Sequence, residues 1–182
     1  QNSTAASFDP WLDVLVGSKE IVYTEEEIEN NYRQEIGMPF ARVMAISKYT
    51  FDLQNEKLSA DETVKSVTLT VVPGEGNEEK LLTGSYNLDV SAIPARCIND
   101  KGEQINLRTP FTSGSPSVST TYAADAQPKL GELAFWPITA PVKLEAGDKL
   151  RFRIVTNKHE ITKEVVLTKE LYFANNQLNR AT

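Results

Sequence analysis

The residues best able to do acid–base or nucleophilic chemistry are few in this chain of 182 residues. His159 is its single histidine and Cys97 its single cysteine. His159 lies in a polar segment that we predict to be a hairpin tip, where a histidine is more often solvated than a catalytic base. Cys97 is interpreted as a small, buried apolar residue. One histidine and one distant cysteine do not make a zinc site, so these residues predict no catalytic pair and no metal centre.

Three other short motifs also have structural interpretations that explain them better than chemistry does. The acidic run Glu25–Glu27 fits the start of a helix. Gly74–Gly76 lacks the Lys and Ser/Thr that follow in a phosphate-binding loop, and it predicts a turn. Asn99–Glu103 lacks the acid spacing of a calcium loop, and it favours a hairpin turn. The sequence therefore predicts no catalytic residue, no cofactor and no metal, and hence a protein that is not an enzyme.

The charge of the chain argues against a nucleic-acid partner. The formal net charge is −6, from 25 acidic and 19 basic residues, and the basic residues are dispersed. Phosphate backbones are instead bound by clustered Lys and Arg side chains. A single cysteine excludes an intrachain disulfide, and no apolar run approaches the ~18 residues that a membrane span requires.

Alternation of apolar and polar residues with a period of two dominates the chain, which is typical of half-buried strands. The clearest case is Lys149–Val155, where Leu150, Phe152 and Ile154 are predicted to face a core. Further strands are predicted over 43–53, 66–71, 86–90, 132–135, 164–168 and 171–173.

Turn residues separate these strands. Pro73–Asn77 and Ala146–Asp148 predict turns, and Asn99–Gly102 predicts the turn of a hairpin over 98–107. The stretch from Thr109 to Pro128 is rich in Ser, Thr, Ala and Pro, and we interpret it as a long surface loop.

One helix is predicted near the N-terminus. Thr24 and Glu27 have the spacing of a capping box, in which the two residues hydrogen-bond each other's backbone N–H. Ile28, Tyr32 and Ile36 then form an apolar stripe, and a glycine follows where a helix commonly ends. We expect this helix of about three turns to pack against a sheet, because so short a helix is marginal alone.

Many strands of similar length and a single helix predict a mostly β fold, an antiparallel β-sandwich with one short N-terminal helix. Residues 8–182 are predicted to form this single domain. Residues 1–7 are small and polar, like a flexible leader left after a signal or lipid anchor is removed, and equally like an expression boundary.

Three aromatic residues offer an alternative function. Trp11, Trp136 and Tyr122 are candidates for an exposed platform that stacks on sugars, which would make the protein a glycan-binding surface lipoprotein. Phe135–Pro137 follows a strand, so at least one ring must point inward, and core packing is favoured for Trp136. Tyr122 lies in the polar loop and is predicted to be the exposed ring.

Segments spread over residues 43–182 share a strand pattern with one known family. These segments are Tyr49–Asn55, Val64–Thr70, Leu81–Leu88, Ala134–Pro137, Leu150–Asn157, Lys163–Leu167 and Phe173–Asn179. Together they resemble the fimbrillin-like proteins of Bacteroides-type bacteria, which are pilus subunits and cell-adhesion lipoproteins.

The resemblance implies a transthyretin-like sandwich, export as a lipoprotein and a place in a fimbrium or on the outer-membrane surface. The implied partners are other fimbrial subunits, or ligands on host or bacterial surfaces, with membrane contact only through a removed lipid anchor. It also implies assembly by strand exchange, in which one subunit completes the sheet of the next. Together with the missing catalytic set, it leads us to expect a non-enzymatic fimbrial subunit or adhesin-type domain.

Two features that the resemblance implies are not matched in full. The family is processed after an arginine, but Arg33 falls in the predicted helix and Arg42 at a strand start, so neither is assigned that role. Leu178–Thr182 is predicted to begin a further strand, which would be truncated here or completed from elsewhere.

Overall fold

The computed structural model of the chain describes residues 15–16, 21–29, 40–51, 58–85, 113–173 and 178–181. Within these ranges the fold is mostly β, with the single α-helix α1 at Glu25–Glu29 and a 3₁₀ turn at Leu130–Glu132. The strands are β1 (Leu15–Val16), β2 (Ala41–Arg42), β3 (Ala45–Thr50), β4 (Val64–Val72), β5 (Thr83–Ser85), β6 (Ser113–Ser115), β7 (Ser117–Thr121), β8 (Ala134–Phe135), β9 (Ile138–Thr139), β10 (Val142–Leu144), β11 (Lys149–Thr156), β12 (Glu160–Val166), β13 (Leu171–Phe173) and β14 (Leu178–Ala181).

Four strands form an antiparallel sheet in the order β12-β11-β4-β7. Its central strand β11 is the segment with the clearest alternation in the sequence. Leu150, Phe152 and Ile154 are buried on one face, and Arg151 and Arg153 are exposed on the other. The predicted core face of this strand is therefore confirmed.

The second sheet is centred on β3. β8 and β9 pair antiparallel with successive parts of β3, so that Phe135 lies opposite Tyr49 and Thr139 opposite Ala45. β14 pairs with β3 in parallel. A strand does begin at Leu178, as predicted, and its direction is the one departure from antiparallel pairing among the described strands. The remaining strands form three two-stranded ribbons, β1-β2, β5-β6 and β10-β13.

Aromatic rings join the two sheets across a common core. The rings of Tyr49 in β3 and Phe152 in β11 lie 4.9 Å apart in an edge-on arrangement. Phe51, just after β3, meets the same Phe152 ring at 5.5 Å. Phe135 packs on the other side of Tyr49 at 6.3 Å. Because both sheets bury these side chains in one cluster, the fold is the predicted antiparallel β-sandwich.

The predicted turns at Pro73–Asn77 and Ala146–Asp148 are confirmed, and they touch each other. Gly76 and Gly147 adopt φ angles of 80° and 94°, the left-handed region that favours glycine. An ideal Cβ on Gly74 would lie 2.6 Å from the carbonyl carbon of Gly147, so the two turns approach closer than any side chain permits.

The interpretation of 109–128 as one long loop is wrong over 113–121, where two strands lie, and holds for 122–128, which contains no strand. β6 and β7 occupy Ser113–Ser115 and Ser117–Thr121, and β7 pairs with β4 in the sheet that contains β11. Small hydroxyl residues suggested a loop by composition. Val118 and the β-branched Thr120 are both buried, however, and they alternate with residues that are not. This alternation is a strand pattern, which the composition did not reveal.

The predicted start of the helix is confirmed, but its predicted packing against a sheet is not. The Thr24 N–H donates to Oε2 of Glu27 at 2.8 Å, and the Glu27 N–H donates to the Thr24 hydroxyl at 3.3 Å, which is a capping box. Ile28, however, is 64% exposed, and no residue of α1 is buried. The described part of the helix therefore does not pack on a sheet, contrary to the prediction; Tyr32 and Ile36 lie outside the described residues.

Several predicted segments also differ or lie outside the described ranges. The strand predicted over 132–135 is a 3₁₀ turn followed by the short β8, and the strand predicted over 164–168 begins earlier, at Glu160. The leader 1–7, the strand 86–90 and the hairpin 98–107 lie outside the described residues.

Candidate functional site

The sheet β12-β11-β4-β7 ends in β12 on one side and β7 on the other, and neither has a second neighbour among the described strands. An edge strand presents backbone N–H and C=O groups to which a further strand can bond. The two edges are therefore the candidate sites of assembly, and they differ in charge.

The β12 edge is charged on both faces. Lys163 lies opposite Phe152 in the register with β11, which places it on the core face of an edge strand. On the solvent face Glu164 pairs with Arg151, with Oε1 and Nε 2.5 Å apart. An inward-pointing charge on an edge strand opposes edge-to-edge pairing, because a strand added there would have to cover it.

The β7 edge carries no charge. Its five residues, Ser117–Thr121, are small or β-branched, with Val118 and Thr120 buried on the core face. On the solvent face the hydroxyl of Ser119 lies 2.8 Å from that of Thr68 in β4, so the polar side chains satisfy each other across the sheet. Nothing in this strand opposes a further strand electrostatically.

Two hydrogen bonds at the ends of β7 establish which backbone groups face outward. The Tyr122 N–H donates to the Lys65 carbonyl, and the Val71 N–H donates to the Pro116 carbonyl, both at 2.9 Å. Bonded residues alternate along an antiparallel pair. The even-numbered residues of β7 therefore face β4, and the odd-numbered ones face the open edge.

The outward-facing residues are Ser117, Ser119 and Thr121. Ser117 is already satisfied, because its N–H donates to the Ser115 hydroxyl at 3.0 Å and its carbonyl accepts from the Thr83 hydroxyl at 3.4 Å. The backbone groups of Ser119 and Thr121 have no partner among the described residues. Among the described residues, Ser119 and Thr121 are thus the part of the β7 edge whose outward-facing backbone groups are not bonded.

His159 lies at the tip of the β11–β12 hairpin, as predicted, but a buried acid holds one side of its ring. Its Nδ1 atom lies 2.9 Å from Oε2 and 3.0 Å from Oε1 of Glu62. The side chain of His159 is 49% exposed, whereas that of Glu62 is 2% exposed. The prediction of a solvated histidine is thus right for one side of the ring and wrong for the Nδ1 side.

Glu62 is held by donors from two segments. Besides the His159 ring, the Thr156 hydroxyl donates to Oε2 at 2.7 Å, and the Ser59 N–H donates to Oε1 at 3.3 Å. Hydrogen bonding from His159, and then from Thr156, lowers the pKa of Glu62 to about 2, against the effect of burial. The carboxylate is therefore ionised at neutral pH.

The arrangement of the hydrogen bonds among Thr156, Glu62 and His159 indicates that the three residues have a structural role. A nucleophile–histidine–carboxylate relay needs the hydroxyl on the imidazole. Here the Thr156 hydroxyl bonds to the carboxylate instead, and accepts a bond from the His159 backbone N–H at 2.8 Å. The cluster ties the hairpin tip to the segment before β4. Sequence reasoning missed Glu62, although the Ser59-x-x-Glu62 spacing is that of a capping box and could have drawn attention to it.

Asp148 is a second buried acid that the sequence marked only as part of a turn. It is fully buried, and its Oδ1 accepts bonds from the Gly74 N–H at 3.0 Å and the Asn77 amide at 2.7 Å. Its Oδ2 accepts the Glu145 N–H at 2.8 Å. Burial alone raises the pKa of Asp148, but these hydrogen bonds outweigh it and hold the pKa below its usual value. The residue fastens the two turns together.

The proposed aromatic platform is not assembled as predicted. Tyr122 is 5% exposed rather than solvated, and burial raises the pKa of its hydroxyl to about 12. Trp136 is half-buried, with the Lys48 ammonium 4.9 Å from its ring centre. Trp11 lies outside the described residues. Tyr122 is therefore excluded as the exposed ring, which removes one of the three predicted members.

The other candidate residues fall in different places. Arg42 is the last residue of the two-residue strand β2 and precedes β3, which begins at Ala45, so it does not lie at a strand start as predicted. Arg33 and Cys97 lie outside the described residues. Within the described ranges, no three His, Cys, Asp or Glu side chains are grouped as metal ligands, and no helix there has the length and apolarity to cross a membrane.

Comparison of the chain with protein-family models, with curated proteins and with solved structures gives no match.

Proposed function

We propose that the chain is a non-enzymatic cell-surface subunit, of fimbrial or adhesin type, that assembles with other subunits by adding a strand to an open sheet edge. It acts outside the cell, at the outer-membrane surface or in a fimbrium. The resemblance to fimbrillin-like proteins supplies the class, including the transthyretin-like arrangement and the removed lipid anchor. Its partners are protein surfaces, and it needs no cofactor.

The open, uncharged edge of β7 is the observation that carries the assembly part of this proposal. Backbone bonds to Ser119 and Thr121 would extend a sheet whose core face is already buried at Val118 and Thr120. Strand addition of this kind takes its affinity from main-chain hydrogen bonds and its register from alternate side chains. The other edge is disfavoured by Lys163.

Substitution of Ser119 by proline tests the proposal without removing a bond to β4. The Ser119 N–H faces the open edge, so Ser119→Pro deletes a donor that only an added strand would use. Ser119→Ala is the matched control, because it loses the same hydroxyl contact with Thr68 and keeps the N–H.

The measurement is the fraction of the chain found in high-molecular-weight assemblies at the cell surface, by size fractionation and electron microscopy. We expect Ser119→Pro to lower this fraction at least tenfold, while Ser119→Ala stays near wild type. Equal assembly of the two variants, with both folded by circular dichroism, would rule out β7 as the assembly edge.

A further inference from the structure

We propose that β12 is a detachable strap, which opens from β11 as a unit and closes again while the rest of the sandwich stays folded. The strap is held at its two ends and contributes little to the core between them. This inference does not depend on the proposed function. Its consequence is that β11, a central strand while the strap is closed, becomes an edge strand when the strap opens.

The strap contributes little to the core because both of its faces are open. None of the seven residues of β12 is buried, and Ile161 alone among them packs partly against the core cluster. Val165 lies on the core face, opposite the buried Leu150, and is nevertheless 52% exposed. Since the burial of apolar surface is the main favourable contribution to folding, detachment of β12 costs the core little.

The backbone bonds between β12 and β11 alternate along the two strands. The Leu167 N–H, just after β12, donates to the Asp148 carbonyl, and the Thr156 N–H donates to the His159 carbonyl, both at 2.8 Å. In the register between these two bonds, the odd-numbered residues of β12 bond to the even-numbered residues of β11. The odd-numbered residues of β11 bond to β4 instead. One strand thus carries two sets of N–H groups, and only one set loses its partners when the strap opens.

Two ion pairs cross from β12 to β11 on the solvent face. Glu164 pairs with Arg151 at 2.5 Å, and Glu160 pairs with Arg153 at 2.7 Å. All four side chains are partly exposed to water, and ion pairs in such positions contribute little to stability. The firm contacts of the strap therefore lie at its ends.

The tip end of the strap is fastened by His159, whose Nδ1 lies against the buried Glu62 carboxylate. Asn157 is anchored separately, because its N–H donates to the Thr63 carbonyl at 2.9 Å and its Oδ1 accepts the Thr63 N–H at 3.2 Å. At the base, Leu167 packs against the core cluster. Asn157 and Leu167 are therefore the anchors that stay in place, and the contact between His159 and Glu62 is the one that breaks on opening.

Native-state amide hydrogen exchange of the full chain, followed by NMR, tests the strap. The N–H groups of Leu150, Phe152 and Ile154 face β12, so they are expected to exchange with the same opening free energy as those of β12. The N–H groups of Arg151 and Arg153 face β4 and exchange only when the sheet unfolds. We expect protection factors at least a hundredfold higher for the second set than for the first.

Two substitutions separate the opening of the strap from global unfolding. His159→Ala removes the contact with Glu62, so we expect the N–H groups of β12 to exchange about tenfold faster. Val67→Ala is the control, because Val67 is fully buried in β4 and stays packed when the strap opens. We expect it to accelerate exchange at Arg151 and Arg153 at least fivefold and to leave exchange in β12 within twofold of wild type.

Equal protection of the two sets of N–H groups in β11 would overturn the proposal. So would exchange in β12 that responds equally to the two variants, since both would then act through global unfolding, or that responds to neither. The comparison within wild-type β11 needs no substitution, so the strap is tested even where a variant fails to fold.

Discussion

The imidazole Nδ1 of His159 lies 2.9 Å from the Glu62 carboxylate, although the two residues are 97 positions apart in the sequence. The contact joins the tip of the β11–β12 hairpin to the segment that leads into β4. It is one of two buried carboxylate clusters in the described part of the chain; the other, at Asp148, fastens the turns at the opposite end of β11. The long hairpin whose outer strand is the charged edge β12 is thus held at both ends.

The contribution of the ionised Glu62 carboxylate to the free energy of unfolding is predicted to depend on pH. The pKa of Glu62 is about 2 in the folded chain, against 4.5 for an ordinary glutamate. A lowered folded-state pKa stabilises the fold above the unfolded value and loses that contribution as the pH falls towards the folded value. We therefore expect the stability advantage of wild type over Glu62→Gln to be constant above pH 4.5 and to vanish progressively towards pH 2.

Urea unfolding of both proteins at a series of pH values measures this difference. A stability gap that stays the same from pH 7 to pH 2 would contradict the assignment of the hydrogen bonds to the ionised carboxylate.

Thr156→Val is predicted to destabilise the fold by roughly 1–3 kcal/mol, because the Glu62 carboxylate loses a buried donor and the backbone N–H groups of Lys158 and His159 lose an acceptor. Thr162→Val, at an exposed site in β12, is the control and should change stability by less than about 0.5 kcal/mol. Thermal unfolding monitored by circular dichroism compares them, and equal melting temperatures would show that the Thr156 hydroxyl is not a structural tie.

The close approach of the two turns predicts opposite outcomes for two glycines. Gly74→Ala places a Cβ 2.6 Å from the backbone of Gly147, and the turns must separate, at a cost of roughly 1–3 kcal/mol. Gly76 has φ 80° but no atom within 4 Å of its Cβ position. Asparagine tolerates that backbone, so Gly76→Asn should cost less than about 1 kcal/mol. Denaturant midpoints in the reverse order would refute the contact between the turns.

Phe152→Ala is predicted to cost about 3–5 kcal/mol, because the ring fills the core between the sheets and contacts both Tyr49 and Phe51. Val166→Ala, at a residue 55% exposed in β12, should change stability by less than about 0.5 kcal/mol. Chemical unfolding of the two variants measures the contrast, and a small loss for Phe152→Ala would mean that the sheets do not share one core.

The sequence predicted best where alternation is strong and side chains are large. β11 was located with its core face correct because Leu150, Phe152 and Ile154 alternate with charged residues. β7 was missed because a strand of Ser, Val and Thr has the composition of a loop, and Tyr122 was therefore placed in solvent. Only its neighbour β4, distant in the chain, makes that segment a strand.

The candidate site was less accessible to sequence reasoning than the fold. Sequence identifies alternation, but it does not say which strand ends a sheet or which backbone groups lack a partner. The hydrogen bonds at Glu62 and Asp148 join residues that are 71 to 97 positions apart in the sequence. Such pairings arise from the order of strands in the sheets, which no local pattern specifies.

Amide hydrogen exchange at β7, compared between the isolated and the assembled chain, tests the assembly claim most directly. The N–H groups of Ser119 and Thr121 face the open edge, whereas that of Thr120 already faces β4. We predict that assembly slows exchange at Ser119 and Thr121 at least tenfold and leaves Thr162, on the outward side of β12, unchanged. Fast, unaltered exchange at Ser119 in assembled material, with protection gained at Thr162 instead, would contradict it.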